Sequence, residues 1–279
     1  MTEVAASDQL LVVIDPVARR TDGESVRIAK DVLSAGAATK VCLPEGPEEF
    51  ARALARRGSR RPVVIGDDRA LLRAVSLLHR QRELAACALS LVPVGGVQSL
   101  ARSLGVPTGT VAAARAVLDG VERRLDLLVD DSDGVVLGAL RIPSVLSPVP
   151  SEAASHPWLR TCQSLVRTLA ARPSRLAAVP GPGPARLRIE VDGVLVVDLD
   201  QPVEAVSVTP GVSGGAEVEI RPASVGVEGS PLRVVGRQVT VSGADFRYRA
   251  DSVVGGPVRT RTWVVREGAW GLTLPPGLA

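Results

Sequence analysis

The first half of the chain alternates short apolar runs with helix-forming stretches, and few architectures accept that pattern. Leu10-Leu11-Val12-Val13-Ile14 ends at Asp15-Pro16 and reads as a buried strand; Thr39–Leu43, Pro62–Ile65 and Ala88–Val92 read the same way. Three helical patterns lie between them and a fourth follows the last. Glu24–Ala35 stops at Gly36, and Pro47–Arg57 opens with proline in its first turn. A third runs from Gly66-Asp67-Asp68 through His79, and a fourth follows Thr108-Gly109-Thr110 and ends at Gly120. Apolar strands separated by helices of about 10–15 residues predict a parallel sheet covered on both faces.

The second half changes period. A helix is expected over Trp158–Ala171, followed by the breaker-rich Pro180-Gly181-Pro182-Gly183-Pro184. Beyond it come short alternating segments: Leu187–Val191, Val194–Leu199, Val203–Val208, Glu217–Ile220, Leu232–Val235, Gln238–Val241, Phe246–Arg249, Arg259–Val265 and Gly271–Leu274. Asp192-Gly193 between two of them is a hairpin signal. The prediction is an α/β domain over residues 1–140 and an antiparallel β-sandwich domain over 141–279.

Composition narrows the function. Aromatic residues are only 2% of the chain, which argues against single-strand nucleic-acid reading by base stacking. The net charge is +3, and Lys30 and Lys40 are the only lysines among 33 basic residues, so the basic balance does not imply a nucleic-acid partner. Residues 1–9 carry Glu3 and Asp8 and do not read as a secretory signal, and no apolar run reaches the ~18 residues that span a bilayer. Cys42, Cys87 and Cys162 sit far apart in apolar stretches and read as reduced, buried thiols. The expected compartment is the cytoplasm. Arg56-Arg57-Gly58-Ser59-Arg60-Arg61 reads as a solvated loop or a patch for an anionic surface, and Trp263 and Trp270 as β-domain core or a lipid-facing anchor. His79 and His156 have no serine or cysteine motif beside them, so a hydrolase triad is not expected.

In an open α/β sheet, ligands bind outside the carboxyl ends of the strands. Three segments fall there: Asp15-Pro16, Gly66-Asp67-Asp68-Arg69, and Gly95-Gly96-Val97-Gln98. Their order, the continuation Ser99-Leu100-Ala101-Arg102, the later Leu118-Asp119-Gly120, Ile189-Glu190-Val191-Asp192-Gly193, Arg221-Pro222-Ala223 with Val227-Glu228-Gly229, and Ala250-Asp251-Ser252-Val253 together resemble the diacylglycerol kinase catalytic family. That family also takes in bacterial lipid kinases and sphingosine kinases and, more distantly, NAD kinases.

The resemblance implies ATP- and Mg²⁺-dependent phosphorylation of a lipid hydroxyl at a membrane surface. By it, Asp15, Gly66, Asp67, Arg69, Gly95, Gly96 and Gln98 are the nucleotide-binding candidates, and Asp67 and Asp251 the catalytic ones. The motifs are eroded. Where the family has Gly-Gly-Asp-Gly-Thr this chain has Ile65-Gly66-Asp67-Asp68-Arg69, and the glutamate of Asp-Gly-Glu is Val253. Near the family's structural metal stretch Glu228 is acidic, but Arg233 stands where an acid is expected, so no metal site is assigned.

Two readings of the first loop stay open: Arg69 clamps a phosphate, or Asp67 and Asp68 cap the following helix in place of the anion. For the second loop, either Gln98 binds nucleotide or Gly95-Gly96 makes an ordinary strand-to-helix turn at positive φ. The expected function is a catalytically impaired or inactive lipid-kinase homologue that keeps a cleft for a ligand or protein partner. The alternatives are an active lipid kinase using Arg69 and Gln98, and a homo-oligomeric scaffold with an empty cleft. A peripheral position at a membrane fits the first two.

Overall fold

The computed structural model describes residues 9–143, 183–211, 214–223 and 230–277. Four parallel strands, β1 (Gln9–Ile14), β2 (Ala38–Cys42), β3 (Arg61–Gly66) and β4 (Ala88–Pro93), lie in the order β4-β3-β1-β2. Successive side chains alternate between faces. Leu11, Val13, Val64 and Leu91 enter one core, whereas Leu10, Val12, Ile14, Val63 and Ile65 enter the other. Both faces of β1 and β3 are therefore apolar, which is why those segments show no polar alternation.

Helices α3 (Pro47–Ala55), α4 (Asp68–Arg80) and α5 (Ser99–Ser103) cover the first face with Phe50, Leu54, Leu71, Val75 and Leu100. Helices α1 (Pro16–Thr21), α2 (Gly23–Gly36) and α6 (Thr110–Asp119) cover the second with Ala18, Ala29, Leu33, Ala113 and Val117. Helix α1 is not expected from the sequence, and α5 only as the unbounded helix into which the Gly95-Gly96 turn leads. Each spans fewer than two turns, too short to show a periodic apolar stripe. In α1 the pre-set φ of Pro16 in the first turn starts the helix instead of a plain turn.

The remaining strands are β5 (Val121–Asp130), β6 (Val135–Val136), β7 (Leu140–Ile142), β8 (Leu187–Val191), β9 (Val194–Val197), β10 (Val203–Pro210), β11 (Ala216–Pro222), β12 (Leu232–Gly236), β13 (Gln238–Ala250) and β14 (Val253–Leu274). Their mutual pairings are antiparallel. The β8–β9 turn places Asp192 and Gly193 at φ 51° and 78°, the left-handed pair a tight hairpin needs.

Two pairs of expected strands are single long ones. Gln238–Val241 and Phe246–Arg249 fuse into β13, and Arg259–Val265 and Gly271–Leu274 into β14. Register shifts between Ser242 and Phe246, and between Arg266 and Trp270, break the alternation that would have shown the continuity.

Strand β14 links the two halves. Trp263 packs in the β core, while Trp270, Leu272 and Leu274 pack in the core of the α/β half. Gly271 and Leu272 pair in parallel with Ala88 and Leu89 of β4, and Ser90 donates its hydroxyl to Thr273 at 2.9 Å. Trp270 thus belongs to the α/β core and not to the β core expected for it, and both tryptophans are fully buried, so neither faces a lipid. Cys42 and Cys87 are free and only half-buried, against the expectation of full burial. Cys162, His156, the Trp158–Ala171 helix and Val227-Glu228-Gly229 lie outside the described residues.

Candidate functional site

Strands β1, β3 and β4 end side by side, so the three loops singled out in sequence meet. The Asp15 amide donates to the Ile65 carbonyl at 2.9 Å, that of Val94 to Gly66 at 3.0 Å, and that of Asp68 to Val97 at 3.0 Å. Gly66 sits where chain elements touch: a Cβ there would lie 2.6 Å from the Ala70 Cβ and 3.0 Å from that of Asp15. Gly95 has φ +118°, a conformation that suits glycine, and a Cβ on it would come within 3.5 Å of Asp67. Gly96 is not at positive φ, so only Gly95 fits the turn reading.

The carboxylates at these strand ends are engaged by the protein itself. Asp67 caps α4, accepting from the amides of Arg69 and Ala70 at 3.1 Å each. Asp68 does something different from the capping expected of it. Buried among the loops, it reaches across to α5 and accepts from the Ser99 hydroxyl at 3.1 Å, the Leu100 amide at 2.8 Å and the Ala101 amide at 3.0 Å. The unpaired N–H groups that open a helix attract an anion, and here a side-chain carboxylate supplies it. Gln98 turns its amide back onto the Gly95 carbonyl at 3.1 Å. Arg69 is exposed and forms no ion pair among the described residues.

Asp15 is buried and caps α1 through the Val17 amide at 2.9 Å. Arg73 of α4 neutralises it, with Nη1 2.7 Å from Oδ1, and the same guanidinium lies 5.5 Å from the centre of the Phe50 ring. Sequence reasoning missed Arg73 because nothing in a helical stretch marks which arginine meets a residue 58 positions away.

Asp251 comes to the same region from the β half. It sits at φ +50°, between β13 and β14, and accepts from three consecutive amides: Leu137 at 2.8 Å, Gly138 at 2.8 Å and Ala139 at 2.9 Å. That turn packs on α5, since a Cβ on Gly138 would lie 2.8 Å from Leu100. Burial pushes the Asp251 carboxyl above its ordinary range; the three amides oppose the shift, and the charge of Asp68 adds to it. Val253, at the position of the missing glutamate, is exposed.

The other sequence candidates resolve into local roles. His79 Nε2 meets Asp133 at 2.9 Å, and Arg233 pairs with Glu219 at 3.2 Å. In the basic run, Arg57 pairs with Glu83, and Arg61 donates to the Val117 carbonyl at 3.0 Å. Part of that run is therefore structural.

As an acceptor of a triphosphate the strand-end surface is badly disposed. Asp15, Asp67 and Asp68 contribute three carboxylates, and the amides that open α4 and α5 already hold two of them. A phosphate placed at the start of α5 would have to displace Asp68 and face its charge. Two unit charges about 4 Å apart repel by about 4 kcal/mol at an effective dielectric near 20.

The described residues thus form a parallel α/β region with its loops gathered at the strand ends, continued by an antiparallel β region that returns a carboxylate to those loops. Residues 9–129 match the sequence model of the diacylglycerol kinase catalytic domain. The chain shares its fold with solved structures from Bacillus anthracis str. Sterne, two named as a putative diacylglycerol kinase and one as a diacylglycerol kinase. One superposes with a TM-score of 0.70 at 14% identity, a second with 0.72 at 13%, and a third with 0.69 at 12%. Each comparison covers 98% of this chain and 99% of the other. No curated protein matches the chain by sequence.

Proposed function

We propose that this chain is a diacylglycerol-kinase-like protein impaired in phosphoryl transfer, whose strand-end surface serves to bind a ligand or protein partner. The observation that carries this reading is the Asp68 carboxylate on the amides of Leu100 and Ala101. Phosphoryl transfer depends on holding the triphosphate and its metal, with little covalent work for the protein. A loop that holds its own carboxylate lacks the donors for that task. The Asp251 carboxylate supports the same reading, because all three of its described hydrogen bonds serve the 137–139 turn.

Arg69 favours a second reading. Its exposed guanidinium, without an ion pair among the described residues, stands at the start of α4 and offers a phosphate clamp. On that reading the protein is an ATP- and Mg²⁺-dependent kinase of a diacylglycerol or sphingoid hydroxyl, working at a membrane surface. No helix among the described residues is long and apolar enough to cross one.

Thermal unfolding with and without Mg-ATP, followed by radiolabelled phosphate transfer to mixed diacylglycerols and sphingoid bases, separates the two. The first reading expects neither a nucleotide-dependent shift nor turnover. Saturable nucleotide binding with turnover that Asp67→Asn abolishes overturns it.

A further inference from the structure

On the outer flank of the sheet, with β1 between it and the loops of β3, a groove of about 330 Å³ opens between β2 and α3. Its shape follows from where α3 sits. Phe50 and Leu54 bury themselves in the core over β1, so the helix leaves the edge strand β2 partly uncovered. Lys40 and Cys42, two residues apart on β2, both line the gap, and Lys40 stands in register with Leu11, which forms part of the floor. Across from them stand Arg52 of α3 and Arg56, which caps its C-terminal end four residues on.

The groove is therefore apolar below and cationic at its rim. Glu49 is the single acid lining it, and it is paired with Arg52 at 3.6 Å. Lys40 and Arg56 form no ion pair among the described residues. The three cations and one carboxylate leave the rim with a surplus of two positive charges, the complement of a phosphate monoester dianion. A solvated rim alone would not require the apolar floor, and an apolar ligand alone would not require the cations.

We propose that this groove binds a phosphate monoester carrying an apolar body, with Lys40, Arg52 and Arg56 on the phosphate and the hydrocarbon against Leu11 and Cys42. The site is independent of the strand-end loops and stands whether or not the chain transfers phosphate.

Octyl phosphate is the probe, titrated against the full-length protein below its micelle concentration by calorimetry, with inorganic phosphate, octanoate and octanol as comparisons. Saturable binding is expected for octyl phosphate, at least tenfold weaker binding for each comparison compound, and an order of magnitude lost in Lys40→Glu/Arg56→Glu. Both substitutions are at exposed positions, and a far-ultraviolet spectrum and melting curve matching the parent protein establish that the variant is folded.

Alkylation supplies a second readout. Saturating octyl phosphate should slow N-ethylmaleimide modification of Cys42, followed by peptide mass, and leave Cys87 unchanged. Absence of saturable binding, binding unaltered in the folded double variant, or equal protection of both thiols overturns the proposal. If inorganic phosphate binds as tightly as octyl phosphate, the apolar half of the assignment is overturned.

Discussion

The Asp68 carboxylate lies 2.8 Å from the amide of Leu100, joining the start of α4 to the start of α5 across a separation of 32 residues. The family's loop has glycine where this chain has Asp68, so the same substitution that adds a charge also fills the donors beside it. Hydrogen bonds to a charged group contribute about 1.5–3 kcal/mol each. Asp68→Gly should accordingly destabilise the protein by at least about 2 kcal/mol in urea unfolding and free the α5 amides. Millimolar phosphate should then raise the melting temperature of the variant and not of the parent. A phosphate response of equal size in both proteins would count against self-occupation.

Asp15 and Arg73 form the second charged contact of this surface, and its two ends differ in exposure. The Asp15 side chain is 3% exposed and that of Arg73 33%. Breaking a fully buried pair by removing one partner costs about 3–5 kcal/mol, because a desolvated charge remains. Arg73 is in partial contact with water, so Arg73→Ala should cost less, about 2 kcal/mol. Asp15→Asn/Arg73→Ala should recover part of that loss. A double-mutant cycle with no coupling would show that the pair is screened.

Much of the frame is legible in the sequence, and the exceptions share a cause. The apolar run of β1 and the Asp192-Gly193 hairpin announce themselves because their physics is local. Strand β14 does not, because Gly268 at φ +52° and the register shift before Trp270 interrupt its alternation. Its pairing with β4 also joins residues about 180 positions apart. The candidate site divides in the same way. Asp67, Gly66 and Gly95 could be placed from strand ends and turn chemistry, whereas the partners of Asp68, Asp15 and Asp251 are set only by tertiary packing.

Gly66 is a test of that local part. With a Cβ 2.6 Å from Ala70 and 3.0 Å from Asp15, alanine cannot be accommodated by a side-chain rotation, since both neighbours are Cβ atoms fixed to their backbones. Forcing extra volume into a packed site costs about 1–3 kcal/mol. Gly66→Ala should fall in that range. Gly96→Ala, with nothing within 4 Å and an ordinary φ, should be close to neutral. Chemical denaturation of the two variants side by side checks both, and equal losses would contradict the close packing at the end of β3.

Asp251 makes the stability of the protein depend on pH in a direction opposite to that of a salt-bridged carboxylate. Its folded pKa is raised above the ordinary 3.8 by burial, with a contribution from Asp68. Between that value and the higher folded one, the native protein retains a proton that the unfolded chain has released. The group's contribution is therefore fully present below about pH 3.8 and is lost as pH rises through the folded pKa. Asp251→Asn removes this titration while keeping the side chain's shape, although its NH₂ cannot accept from the 137–139 amides. The stability of the parent minus that of Asp251→Asn should fall as pH rises across this window, by about 1.4 kcal/mol per pH unit, and become level above it. Urea midpoints measured from pH 3.5 upward, in steps of about half a pH unit, give the difference directly. A difference that rises with pH would mean that the three amides outweigh burial, and that Asp251 is held as a firmly ionised structural anchor.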